Sequence, residues 1–144
     1  MRGQRFVEVS AFTHPGRQRR EPDDTVTVLG RLDDDCHAVA RATREIATPE
    51  NNLIIEGSKA TLITSALRFA TEHVVRVRDR AGMTEEPFPA SPVYELEILA
   101  FEGELHGERS LLPDGEDSVG TVAVTQAVLQ AIDERRSVTV PAVA

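Results

Sequence analysis

The chain has no tryptophan and a single cysteine, Cys36, so it can form no internal disulfide, and a reducing compartment is the simplest setting for it. Aromatic residues make up only 4% of it, so any core has to be built from Val, Leu, Ile and Ala. No apolar run approaches the ~20 residues that cross a bilayer, and the opening MRGQRFVEVS lacks the apolar centre of a signal peptide. A soluble, cytoplasmic protein is expected. Basic charge is in deficit: 16 Lys and Arg stand against 24 Asp and Glu, a net charge of −8. A nucleic-acid binder needs a basic footprint to displace counterions from phosphate, and an anionic membrane surface asks for the same sign. Neither partner is expected.

Several chemical motifs are missing too. No GxGxxG occurs, so nothing seats a dinucleotide pyrophosphate in the usual way, and EGSKAT (Glu56 to Thr61) does not supply the GxxxxGK[ST] of a phosphate loop. His14, His37, His73 and His106 are scattered singly, with no i, i+4 pair, and Cys36 beside His37 is not a metal pair. No metal is expected. Asp33-Asp34-Asp35 offers weak cation binding or a solvated turn, and the turn is the reading adopted. No Ser–His–Asp or Cys–His arrangement stands out, which leaves catalytic residues unassigned.

What is present reads as one domain over residues 1–144, long enough to bury about two-thirds of its unfolded surface without staples. The centre is NNLIIEGSKATLITS (Asn51 to Ser65), two short strands reversing at Gly57-Ser58-Lys59, with Gly57 the residue suited to a positive φ. Before it, Phe6 to Thr13 and Thr25 to Leu32 alternate apolar and polar residues at the strand period, and the stretch from His14 to Asp24 reads as a loop whose arginines form an anion site or a solvated surface. Cys36 to Ala47 suits a helix by composition, but its alternation and the short Asp turn before it favour a strand. On that strand Ala38, Ala40, Ala42 and Ile46 face one way, and Val39, Arg41, Thr43 and Glu45 the other.

After the hairpin, Phe69 to Arg80 is a further strand whose charged outer face suits an edge, and Glu85 to Ala90 is a loop. Ser91-Pro92 signals a helix start. Tyr94, Ile98, Phe101 and Leu105 recur at i, i+4, i+7 and i+11, one stripe of an amphipathic helix, with Gly103 and Gly107 bracketing its end. A second helix, capped by Asp117 or Ser118, runs to about Arg136 with an apolar face wide enough to imply burial on more than one side. Ser137 to Val140 closes the chain as a short strand. The expected fold is α+β: an open-faced, mostly antiparallel sheet of about six strands with two helices packed on one face.

The ordered set DDTVTVLGRL, NNLIIEGSKATL, PVYELEILAF and PDGEDSVGTVAVTQAVLQAIDERRSVTVP resembles the C-terminal half of Gfo/Idh/MocA oxidoreductases. That family shows a DDTA strand, an I-x-G-x-x-G-T-L hairpin, a Y-x-x-E-x-x-x-F helix, and a G-x-D … helix … V-x-V-P close. Ala60 stands where the hairpin usually has glycine, and Arg135 where a glycine often ends the last helix, which implies a helix end of a different kind. The family's N-terminal Rossmann domain, its Lys-Pro motif and its D-x-x-x-H helix have no counterpart here.

The resemblance implies a stand-alone substrate-binding and assembly domain that is not redox-competent alone. NAD(P) is implied only for a full-length relative or a cofactor-bearing partner, with no cofactor bound by this chain itself. It also implies a homo-oligomer formed through the open sheet face. The alternatives are a fragment of a full-length sugar or polyol dehydrogenase, and a small cofactor-independent lyase, isomerase or cyclase reusing the substrate pocket. Four residues are candidates for substrate binding. Tyr94 matches the family's helix tyrosine, which reaches the substrate or packs on the sheet. Arg41, Thr43 and Glu45 would present a guanidinium and a carboxylate to a polyol, or else form a solvent face or an inter-subunit ion pair.

Overall fold

The computed structural model describes residues 4–14, 24–47, 51–64, 72–108, 113 and 115–142. They divide into two compact units, one of Met1–Ala47 with Pro113–Ala144 and one of Thr48–Leu112.

In the first unit, β1 (Phe6–His14), β2 (Thr25–Leu32) and β3 (His37–Thr43) form an antiparallel meander, and the chain returns at its far end as β8 (Val138–Thr139) to pair with β1. The strand order is β3-β2-β1-β8. Strand alternation sorts the sheet into two faces. Val9 and Ala11 of β1 point to one face, with Val28 of β2 opposite Ala11 and Val138 of β8 opposite Val9. On that face lies α2 (Gly115–Glu134), whose Ala127 and Ala131 are buried against Val9, Ala11, Val138 and Val140. Alanines at the contact let the helix backbone come close to the strands. Val9 has no exposed surface at all.

The same face explains Gly30, which is buried opposite Val9. A Cβ placed on it would lie 2.5 Å from Cδ1 of the Phe6 ring, so the ring occupies the space that any larger residue would need. The β2–β3 reversal is built by the aspartates. The Asp34 side chain accepts a hydrogen bond from the Cys36 backbone N–H at 3.1 Å and another from the Gln4 amide, and Asp35 takes a left-handed φ of 63°.

In the second unit, β4 (Leu53–Glu56), β5 (Thr61–Thr64), β6 (His73–Arg78) and β7 (Met83–Phe88) form a four-stranded antiparallel sheet in sequence order, followed by α1 (Val93–Leu105). Arg76 of β6 stands opposite Glu85 of β7, and the two side chains pair at 2.6 Å. No residue of α1 is buried.

The class is therefore α+β with antiparallel, unclosed sheets, as expected. The details differ from the expectation for physical reasons. Among the described residues, eight strands in two four-stranded sheets stand where one sheet of about six was expected. One added strand is β7, read from the sequence as a loop because of Pro87 and its glutamates. Proline is tolerated there because β7 is an edge strand, and Glu85 is matched by the arginine across from it. β6 is thereby an interior strand and not the edge that its charge suggested.

Of the two helices, α2 covers a sheet, on one side only. α1 keeps its apolar stripe exposed, and it starts after Pro92 with no side-chain cap from Ser91. Gly57 does not take the positive φ expected of it: that conformation belongs to Gly82 and Gly107. Arg135, expected to avoid the left-handed conformation, adopts it at φ 53° directly after the last residue of α2. The arginines between His14 and Asp24 lie outside the described residues.

Candidate functional site

Three places in the structure bear on function. The first is the face of the β1–β2–β3 sheet turned away from α2. Register places Ser10, Leu29 and Val39 in one row across it, and Phe12, Thr27 and Arg41 in the next. On this face Phe12 is 78% and Val39 72% exposed, with Leu29 about half exposed. The row beyond holds Glu8, Arg31 and His37, where Arg31 reaches Glu8 and Asp35, each at 3.3 Å. Leu29 and Val39 thus stand exposed between two rows that carry arginines, and Phe12 stands in the Arg41 row itself.

The second is a cavity of about 490 Å³ in the first unit, between the start of β1, the first half of α2 and the segment after β8. Phe6, Val7, Val124 and Val140 make its wall apolar. Asp33, Glu116 and Thr125 add carboxylate and hydroxyl oxygens. The volume falls within the range of small-molecule sites. Sequence reasoning missed this cavity. Its residues come from separate stretches, 4–7, 33, 116–125 and 140–142, and Asp33 carries no mark beyond that of a turn residue.

The third is α1 itself, with Tyr94, Ile98, Phe101 and Leu105 between 64% and 70% exposed.

The four residues singled out in the sequence are placed as follows. Arg41 and Thr43 share the open face of β3, with Arg41 exposed. The Thr43 hydroxyl is hydrogen-bonded to that of Thr25 across the strand pair at 2.7 Å and accepts from the Glu45 backbone N–H at 3.2 Å. Glu45 lies past the end of β3 and is exposed. Tyr94 is on α1, in the other unit. None of the four lines the cavity. Cys36 is exposed, and its thiol is held toward the protonated form, above its ordinary value, chiefly by hydrogen bonding to the Asp34 carboxylate. Asp34 is shifted the opposite way, first by the Cys36 backbone N–H. This pair steadies a turn and is the reverse of an activated thiolate.

Among the described residues no group of three or more His, Cys, Asp or Glu is placed to hold a metal ion, and no helix is long and apolar enough to cross a membrane.

The fold is shared with known enzymes. It superimposes on UDP-N-acetylglucosamine 3-dehydrogenase from Acidithiobacillus ferrooxidans with a TM-score of 0.78 at 17% identity, covering 92% of this chain and 42% of that one. For the aldose–aldose oxidoreductase from Caulobacter crescentus, solved with glycerol, the values are 0.76, 19%, 95% and 42%. For an NAD-binding oxidoreductase from Klebsiella pneumoniae they are 0.77, 19%, 96% and 46%. The chain thus spans less than half the length of each of these proteins. A search of curated proteins finds no match.

The described helix starts are poorly suited to a dinucleotide pyrophosphate. A pyrophosphate seeks a glycine-rich turn and bare N–H groups at a helix start, whereas α1 carries Glu95 and α2 carries Glu116 and Asp117 in the first turn. The model of the oxidoreductase-family C-terminal alpha/beta domain matches residues 2–140. With that match over nearly its whole length, the chain belongs to the Gfo/Idh/MocA C-terminal domain family.

Proposed function

We propose that this chain is the substrate-side and assembly-side part of a sugar or polyol oxidoreductase, working in the cytoplasm without binding the nicotinamide cofactor itself. It associates with copies of itself through the open face of the β1–β2–β3 sheet and leaves hydride transfer to a cofactor-bearing polypeptide. The observation that carries this reading is that open face. Phe12, Leu29 and Val39 are presented to water together on one face of the β1–β2–β3 meander, which a monomer has no reason to keep.

Arg41, exposed beside them, is assigned to assembly and not to a polyol. The small-molecule role falls to the cavity, whose carboxylates and hydroxyls at Asp33, Glu116 and Thr125 are the group types that hydrogen-bond a polyhydroxylated ligand over an apolar wall. The carboxylates at both helix starts support the absence of a dinucleotide site.

Calorimetric titration with NADH is the test of the cofactor part. No heat beyond that of a control protein is expected, and binding at micromolar affinity would overturn it. Light scattering at tens of micromolar tests assembly. A dimer or larger species is expected, and a monodisperse monomer would remove the assembly role.

A further inference from the structure

The cavity of the first unit is framed by two backbone hydrogen bonds. The Asp33 N–H donates to the Arg5 carbonyl at 2.9 Å, and the Val140 N–H donates to the Val7 carbonyl at 3.0 Å. The chain entering β1 is thereby held between the β2–β3 turn and the segment after β8, and the first half of α2 closes the remaining side. Every lining residue belongs to Met1–Ala47 or Pro113–Ala144, so the cavity lies within one unit.

What its polar groups can bind follows from where their protons go. Thr121 donates its hydroxyl proton to the Asp117 carbonyl, and Thr125 donates to the Thr121 carbonyl, each at 2.9 Å along α2. Both hydroxyls then offer the cavity lone pairs only. The carboxylates of Asp33, Glu116 and Asp117 accept hydrogen bonds and, when ionised, donate none. Gln4 spends an amide N–H on Asp34. Among the described residues, Arg5 is the one cation of the lining, against those three carboxylates. The cavity is rich in acceptors and net negative, over an apolar wall.

We infer that this cavity takes a polyol bearing a protonated amine, an amino sugar or an aminocyclitol, and rejects sugar acids and sugar phosphates. The inference rests on the polyol reading of the cavity and names the ligand class within it. Ring hydroxyls donate to the threonine and carboxylate oxygens, and the C–H face of the ring lies on the apolar wall. The ammonium meets Asp33 or Glu116 in a charge-assisted hydrogen bond. A phosphate or carboxylate brought to the same place would give up its water to face charge of its own sign. A metal ion is the poorer occupant, because among the described residues no group of three or more His, Cys, Asp or Glu is placed to hold one.

The test is a ligand titration of the isotope-labelled chain, followed through the amide resonances of Gly120 and Ala123 in the cavity lining. It is run at low salt and about pH 6, where an alkylamine holds its proton and carboxylates are ionised. The probes share one ring: glucosamine, glucose and glucuronate. Glucosamine should bind at least about tenfold more tightly than glucose, and glucuronate more weakly than glucose. Asp33→Asn/Glu116→Gln should bring the glucosamine-to-glucose ratio to within about threefold. Both side chains are exposed, so the substitutions leave the core intact.

Glucose or glucuronate binding as tightly as glucosamine overturns the inference and leaves the cavity a polyol site. Ethanolamine matching glucosamine also overturns it, because attraction of a bare amine to an acidic protein would then suffice. So does a ratio that Asp33→Asn/Glu116→Gln leaves unmoved. If none of the sugars shifts those resonances, the inference fails together with the polyol reading beneath it.

Discussion

Replacing Gly30 with alanine should reverse its effect on stability according to what stands at residue 6. Gly30 does not sit in the left-handed region, so its backbone accepts alanine, and an alanine in a strand interior is worth roughly 0.5–1 kcal/mol over glycine. Against this, the new methyl would lie 2.5 Å from Cδ1 of Phe6, roughly 1 Å inside ordinary carbon–carbon contact. Moving the ring off Gly30 takes it from the core cluster that it packs against, an overpacking cost of about 1–3 kcal/mol. Gly30→Ala should therefore destabilise by about 0.5–2 kcal/mol net.

With Phe6→Ala the space is vacant, and the same change should stabilise by roughly 0.5–1 kcal/mol, a coupling of about 1–3 kcal/mol between two touching residues. The assay is urea unfolding followed by far-ultraviolet circular dichroism, since the chain has no tryptophan to report by fluorescence. Unchanged m-values would assign the shifts to stability and not to compactness. If Gly30→Ala has the same sign and size in both backgrounds, the ring does not define that space and the steric account is wrong.

Two further changes have clear directions. Arg135→Gly should stabilise the chain by about 1 kcal/mol and raise Tm by about 3 °C, because a side chain in the left-handed region costs more than the freedom glycine restores to the unfolded chain. Arg135→Ala, which keeps the Cβ, should give no gain in the same thermal scan, and an equal gain would show that the charge and not the backbone is responsible. For Cys36, whose thiol Asp34 holds above its ordinary value, Asp34→Asn should speed alkylation by iodoacetamide at mildly alkaline pH by increasing the thiolate fraction. A rate equal to or below that of the wild type would refute the contact.

Much of the fold is legible in the residues. β1 and β2 follow from alternation, and α2 from its small apolar residues at helical spacing. β3 was recoverable despite its alanines because the Asp33–Asp35 turn is too short for anything but a hairpin. β7 was not, since MTEEPF has no strand signature of its own and holds its place through what β6 sets opposite it, Arg76 to Glu85 above all. Arg135 was misjudged because a local cost of about 1 kcal/mol says nothing of the long-range pairing of β8 with β1 that the chain must reach next. The stripe on α1 was correctly located, though no residue of that helix is buried, for a period in a sequence shows which residues share a face and not what packs on it. The cavity had no linear signal at all.

The pairing of Val9 with Val138 joins strands that lie on either side of the whole second unit in the chain. A ribosome making this protein, once β1, β2 and β3 are out, must translate the whole of Thr48–Leu112 before α2 and β8 emerge to cover them. Until then Val9 and Ala11 of the nascent meander stay in water along an unpaired β1 edge, the kind of surface that chaperones and aggregates both recognise. A stop codon just before Gly115 would hold the protein in that state, because it removes α2 and β8 together.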